Sequence, residues 1–146
     1  MRLPVILFGA AAAALAVASP AAAANHTVKM MNSGPGGAMV FSPALVKVAP
    51  GDSVTFVPSN PTHNAESING MVPPGASPFK GPMSKPLTVK FSKPGVYGYK
   101  CTPHYGMGMV GAVVVGSAAP NLAAVQAVSH PGLAKKRFGQ ILAGAK

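Results

Sequence analysis

The sequence predicts a small antiparallel all-β sandwich or barrel that ends in two α-helices, and three features predict it. Leu87, Val89 and Phe91 alternate with Thr88, Lys90 and Ser92, the period-two pattern of a half-buried strand. Gly and Pro punctuate the chain up to Gly116, with too little polar helix-forming sequence between them for α/β alternation. Beyond Gly116 the apolar residues change to helical spacing.

The start of the chain stands apart. Met1-Arg2 supplies a positive charge, Leu3 to Val17 is almost unbroken apolar sequence, and Ser19 to Ala24 ends in alanines. Residues 1–24 therefore read as a secretory signal, cleaved after Ala23 or Ala24. The apolar run is shorter than the roughly 20 residues a spanning helix needs, so no stable membrane insertion is expected after cleavage. Residues 25–146 then form one domain, of which 117–146 is a helical extension.

Within the domain, His26 to Met31 is the first expected strand, and Gly34-Pro35-Gly36-Gly37 turns the chain into a second at Ala38 to Phe41. Leu45 to Val48 and Val54 to Val57 flank Pro50-Gly51-Asp52, a turn tripeptide that predicts two tightly connected strands with Val54 and Phe56 facing the core. Pro58 to Gly81 is rich in Pro, Gly, Ser and Asn and reads as loop, with one short helical turn at Glu66 to Asn69. The Leu87 strand ends at Pro94-Gly95. Val96 to Lys100 then carries Cys101 to its end, and Val110 to Val115 closes the sheet. Asn121 is placed to cap a helix bearing Leu122, Val125 and Val128. A second helix follows His130-Pro131-Gly132, with Ala134, Phe138, Ile141, Leu142 and Ala145 on one face.

The formal net charge is +10, or +9 once Arg2 leaves with the signal, because only Asp52 and Glu66 are acidic. So basic a surface favours an anionic partner. An exported location, the absence of Trp and the scattering of single lysines argue against nucleic acid, which leaves an acidic protein surface as the expected partner of a monomer. One cysteine cannot form an internal disulfide, and a free thiol outside the cytoplasm is exposed to oxidation. Binding to a metal as thiolate accounts for its presence.

Cys101-Thr102-Pro103-His104-Tyr105-Gly106-Met107-Gly108-Met109 concentrates the metal chemistry. Its Cys-x₂-His-x₄-Met spacing offers a thiolate, an imidazole and a thioether from one loop between two strands. A second imidazole completes the trigonal His₂Cys set with a long axial Met that copper electron-transfer sites use. Of His26, His63 and His130, His63 follows a strand able to neighbour the Cys101 strand, so it is the expected fourth ligand. Structural zinc sites draw on more cysteines and rarely on Met, which favours copper. A nucleophilic role for Cys101 with His104 as base lacks an acidic residue to orient the imidazole, so no enzyme is expected. The competing function is storage or delivery of copper.

The loop CTPHYGMGM, together with His63-Asn64, Gly37-Ala38-Met39-Val40-Phe41, Pro94-Gly95-Val96-Tyr97 and the two C-terminal helices, resembles the pseudoazurins, a family of bacterial cupredoxins. The resemblance spans essentially the whole chain after the signal. It implies an eight-stranded Greek-key sandwich, one type 1 copper cycling between Cu(I) and Cu(II), and periplasmic shuttling of single electrons. The implied acceptor is a denitrification enzyme such as copper nitrite reductase, with a c-type cytochrome or similar protein as donor. By position it makes His63, Cys101, His104 and Met109 the ligands. It places the backbone N–H groups of Asn64 and Met107 near the sulfur, and Met39 beside the exposed imidazole. Pro103 stiffens the loop, and with Met39, Gly106 and Met107 it is expected to form an apolar collar. Ser33 and Pro61 stand where the family tends to carry lysine, which leaves Lys80, Lys85 and Lys100 as the expected docking charges.

Overall fold

Two covered faces explain why Val110 to Val115 is apolar at every position rather than at alternate ones. In the computed structural model, which describes residues 21–146, this strand packs between a second sheet and a pair of helices. The expected signal lies outside the described residues except for Ala21 to Ala24, which are exposed and precede the first strand.

The strands are β1 (Asn25–Gly34), β2 (Gly37–Ser42), β3 (Leu45–Val48), β4 (Ser53–Pro58), β5 (Glu66–Ser67), β6 (Leu87–Lys90), β7 (Gly95–Lys100) and β8 (Val110–Val115). They are followed by α1 (Leu122–Gln126) and α2 (Leu133–Ala143). One sheet has the order β2-β1-β4-β6 and the other β3-β8-β7-β5. This is the expected sandwich, without barrel closure, and it is mixed rather than antiparallel throughout: β1 pairs with β4, and β3 with β8, in parallel. No helix of the described residues is long and apolar enough to cross a membrane.

Alternation along β7 and β8 sorts the side chains into two cores. Tyr97, Tyr99, Val113 and Val115 meet Val28, Met30, Phe41, Val54, Phe56 and Phe91 between the sheets. Val96, Val110, Ala112 and Val114 turn the other way, onto Val125, Ala134, Phe138 and Leu142 of the helices. Cys101 and Met109 continue the first register into the end of the inter-sheet core, which places the sulfur chemistry inside a packed framework.

Pro50-Gly51-Asp52 joins two strands by a tight turn as expected, with the Asp52 amide bonded to the Ala49 carbonyl, and carries the chain from one sheet to the other: β3 pairs with β8, whereas β4 pairs with β1 and β6. Two local expectations differ from the structure. Glu66–Ser67 is a short strand rather than a helical turn, because β7 offers it an open edge at Lys100 and Tyr99. Asn121 precedes α1 without capping it. Its amide instead receives the Val96 N–H at 2.7 Å and donates to the Val96 carbonyl at 2.8 Å, closing the β7 edge.

Candidate metal centre

The site is assembled from a framework half and a loop half. His63 lies beyond the end of β4 and is fully buried. Its Nε2–H donates to Asn32 Oδ1 on β1 at 2.8 Å, which leaves Nδ1 without a proton and aimed away from that bond. Asn32 is itself held, since its backbone N–H donates to Asn60 Oδ1.

The loop half folds back on its own backbone. Thr102–His104 forms a single 3-10 turn with Pro103 in its first turn, where a missing N–H costs nothing. The Cys101 amide donates to the Met109 carbonyl at 2.9 Å, and the amides of Met107 and Met109 both donate to the His104 carbonyl. Cys101, His104 and Met109 are thereby held in one short ring of bonds, with Cys101 and Met109 fully buried and His104 half-buried.

The two halves meet at three atoms. His63 Nδ1 and His104 Nδ1 are 3.2 Å apart, and Cys101 Sγ lies 3.7 Å from the first and 3.5 Å from the second. The point equidistant from all three is about 2.0 Å from each, the circumradius of a triangle with those edges. Nitrogen donors bind a first-row ion such as zinc at roughly 2.0–2.1 Å and a thiolate at about 2.3 Å, so the gap is sized for one metal ion. Among the described residues this is the only grouping of three or more His, Cys, Asp or Glu residues able to hold one.

Electrostatics prepare the donors unequally. Burial, reinforced by the neighbouring His104, pushes the His63 pKa below that of a free imidazole, which keeps the ring neutral and ready to bind. Burial pushes the Cys101 thiol up, partly offset by backbone N–H groups of Asn64 and His104 that favour the thiolate. The metal must therefore displace the thiol proton. The expected Met107 N–H goes to the His104 carbonyl.

Around this centre Asn64 locks the framework to the loop. Its Oδ1 accepts the Thr102 N–H at 2.8 Å and its Nδ2 donates to Thr102 Oγ1 at 3.0 Å. Thr102 Oγ1 donates in turn to Glu66 Oε2 at 2.6 Å. That hydroxyl, with Lys80 and Lys100 nearby, holds Glu66 below the usual carboxylate range.

Of the expected collar, Pro103, Gly106 and Met107 are exposed and Met39 is half-buried. Of the expected docking lysines, Lys85 is exposed, Lys80 reaches Glu66 at 3.5 Å, and the Lys100 ammonium sits 4.9 Å over the Tyr105 ring. Asn32, Thr102 and Glu66 escape a sequence reading, because nothing in their spacing signals contact with residues about 30 or more positions away. His26 and His130 lie elsewhere, bonded to Asp52 and Tyr105.

A β-sandwich that brings two imidazoles and one cysteine sulfur around a metal-sized gap, with a buried thioether in the same loop, defines a cupredoxin-type centre for a single copper ion. Residues 28–116 match the family of copper binding proteins described as plastocyanin/azurin. Two relatives are pseudoazurins: one from Methylorubrum extorquens, 52% identical with 94% of each chain covered, and one from Paracoccus pantotrophus, 48% identical with the same coverage. The crystal structure of pseudoazurin from Methylobacterium extorquens AM1 superposes with a TM-score of 0.81 at 51% identity, covering 84% of this chain and 99% of the other. That of native pseudoazurin from Hyphomicrobium denitrificans gives 0.79 at 45% identity, covering 84% and 98%. The chain belongs to the pseudoazurin family of blue copper electron-transfer proteins and binds one copper ion.

Proposed function

We propose that this protein is exported to the periplasm and carries single electrons on one copper ion held by His63, Cys101, His104 and Met109, making and breaking no bonds itself. The acceptor proposed is a denitrification enzyme such as copper nitrite reductase, and the donor a c-type cytochrome or similar protein. The observation that carries the reading is the contrast in exposure. Three of the four ligand residues are fully buried, and His104 alone is partly exposed, in a loop whose Pro103, Gly106 and Met107 are exposed as well.

When bound, copper supplies a reversible one-electron change between Cu(II) and Cu(I). The chain supplies constancy around it. His63 is fixed by Asn32, Cys101 by the end of β7 and by Asn64 through Thr102, and the loop by its own backbone bonds. Little can rearrange when the charge on the site changes. Burial of His63, Cys101 and Met109 also disfavours delivery, which needs ligands an acceptor can displace.

Export rests on the apolar leader, proposed to be cut after Ala23 or Ala24, with the single domain of 25–146 following. The Ala24 N–H donates to Asp52 Oδ1 at 2.8 Å. Cleavage after Ala23 would turn this bond into an ammonium–carboxylate pair, whereas cleavage after Ala24 would delete it.

Docking is proposed to use the apolar collar for close approach and Lys80, Lys85 and Lys100 for steering. Lys85 has no carboxylate against it among the described residues, and Lys80 is partly neutralised by Glu66. The test is stopped-flow electron transfer to copper nitrite reductase at rising ionic strength. The rate constant should fall severalfold between about 0.01 and 0.2 M salt as the screening length shortens, and Lys85→Gln should lower the low-salt rate. A salt-independent rate would remove the lysines from the account.

A further inference from the structure

The C-terminal helices hold the ligand loop from outside. The Leu133 N–H at the start of α2 donates to the Gly106 carbonyl at 3.0 Å, and one turn on, the Arg137 guanidinium reaches the same loop. Its Nη1 donates to the Gly108 carbonyl at 2.8 Å and to the Met39 carbonyl at 2.7 Å, and its Nη2 donates to the Ala38 carbonyl at 2.8 Å. No carboxylate pairs with it among the described residues, so its charge is met by three backbone oxygens from two segments flanking the site.

The grip falls on a sensitive peptide. Gly108 supplies the carbonyl and Met109 the N–H of one peptide plane. Arg137 holds the oxygen, and the His104 carbonyl accepts the N–H at 3.2 Å. Rotation of that plane, which would swing the Met109 side chain, is opposed at both ends. Close approach needs glycine at 108: its φ is +88°, and a Cβ there would lie 2.8 Å from Arg137 Cδ and 3.0 Å from Leu133 Cβ. Met39 on the other segment has a φ of +51°, unusual for a side chain of its size, and its carbonyl is captured by the same arginine.

We propose that Arg137 is a positioning residue of the copper centre, setting the Met109 thioether through the Gly108–Met109 peptide, which it ties to the Ala38–Met39 backbone. The assignment rests on the reading of Met109 as axial ligand. The guanidinium reaches these carbonyls from two nitrogens held in one rigid plane, whereas a lysine would offer its three donors from a single nitrogen on a flexible stem, so Lys is not an equivalent here.

The experiment compares wild type with Arg137→Lys, which keeps the charge, and Arg137→Gln, which keeps a donor amide but not the charge. Hydrogen exchange is read on the metal-free proteins, and the visible spectrum and reduction potential on the copper-loaded ones. Both variants should speed exchange of the Met109 amide about tenfold relative to that of Val113 in β8. Both should change the relative intensities of the visible copper bands. Arg137→Lys should also move the Cu(II)/Cu(I) ratio at fixed potential about threefold toward Cu(I), because a receding axial ligand stabilises Cu(II) less. A blue wild type whose Arg137→Lys variant matches it in spectrum, potential and Met109 exchange overturns the assignment alone. Equal acceleration at Met109 and Val113 with unchanged spectra overturns it too, reducing Arg137 to general stability. A colourless wild type overturns the copper reading and this assignment with it.

Discussion

His63 and His104 direct the same ring nitrogen to the same point from opposite surroundings. His63 is fully buried, proton-free at Nδ1 because Asn32 accepts from its Nε2, and kept neutral by burial. His104 sits in a loop, half-exposed, and among exposed apolar residues. The framework half fixes where the metal lies, and the loop half decides what can reach it. One ligand set can therefore be both rigid and accessible, provided the two demands fall on different histidines.

The largest expected effect lies where the halves join. Cys101→Ser removes the only thiolate available and should abolish the intense visible band altogether; a retained band would show that the sulfur is not a ligand. Next comes the framework half. Asn32→Leu frees the His63 ring and should weaken copper affinity about 10- to 100-fold in a chelator competition, the usual consequence of losing a partner that orients a ligand. Unchanged affinity would mean that packing alone holds the ring.

On the loop side, Met109→Gln should keep copper bound while shifting the reduction potential, since an axial ligand tunes more than it anchors. An unshifted potential would remove Met109 from the coordination.

The smallest effect belongs at the far end of β4. There Asp52 accepts from Ala24, His26 and Ala49, and these bonds hold its carboxyl below the usual range, the Ala24 amide contributing most. A depressed carboxylate stabilises the fold above its unfolded pKa, and that contribution is lost as pH falls through its folded pKa. Asp52→Asn should therefore melt lower than wild type at neutral pH, with the gap closing below about pH 4 and the copper spectrum unchanged. A constant gap across pH would deny the ionised carboxylate its role, and an altered spectrum would break the separation between the two ends.

The ligand loop was legible because its three donor residues carry their chemistry in their identity and spacing, and β7 and β8 were legible because each pattern reflects a local face. Features that depend on a distant partner were not. Pro50-Gly51-Asp52 announces a tight turn between two strands, but which sheet each strand joins is decided by β8 and β1. Glu66–Ser67 becomes a strand only because β7 has a free edge. Asn121 has the composition of a helix cap and is drawn instead to Val96, 25 residues away. Asn32 and Arg137 act across 31 residues and up to 99 residues of chain, beyond any local pattern.

The central claim, that the framework and loop halves enclose one redox-active copper, is tested most directly by the visible absorption of the mature protein on adding Cu(II) and then ascorbate. One equivalent of copper should raise an intense thiolate-to-copper band that bleaches with ascorbate and returns on reoxidation without loss of metal. A protein that stays colourless, or bleaches and releases its copper, would contradict the account.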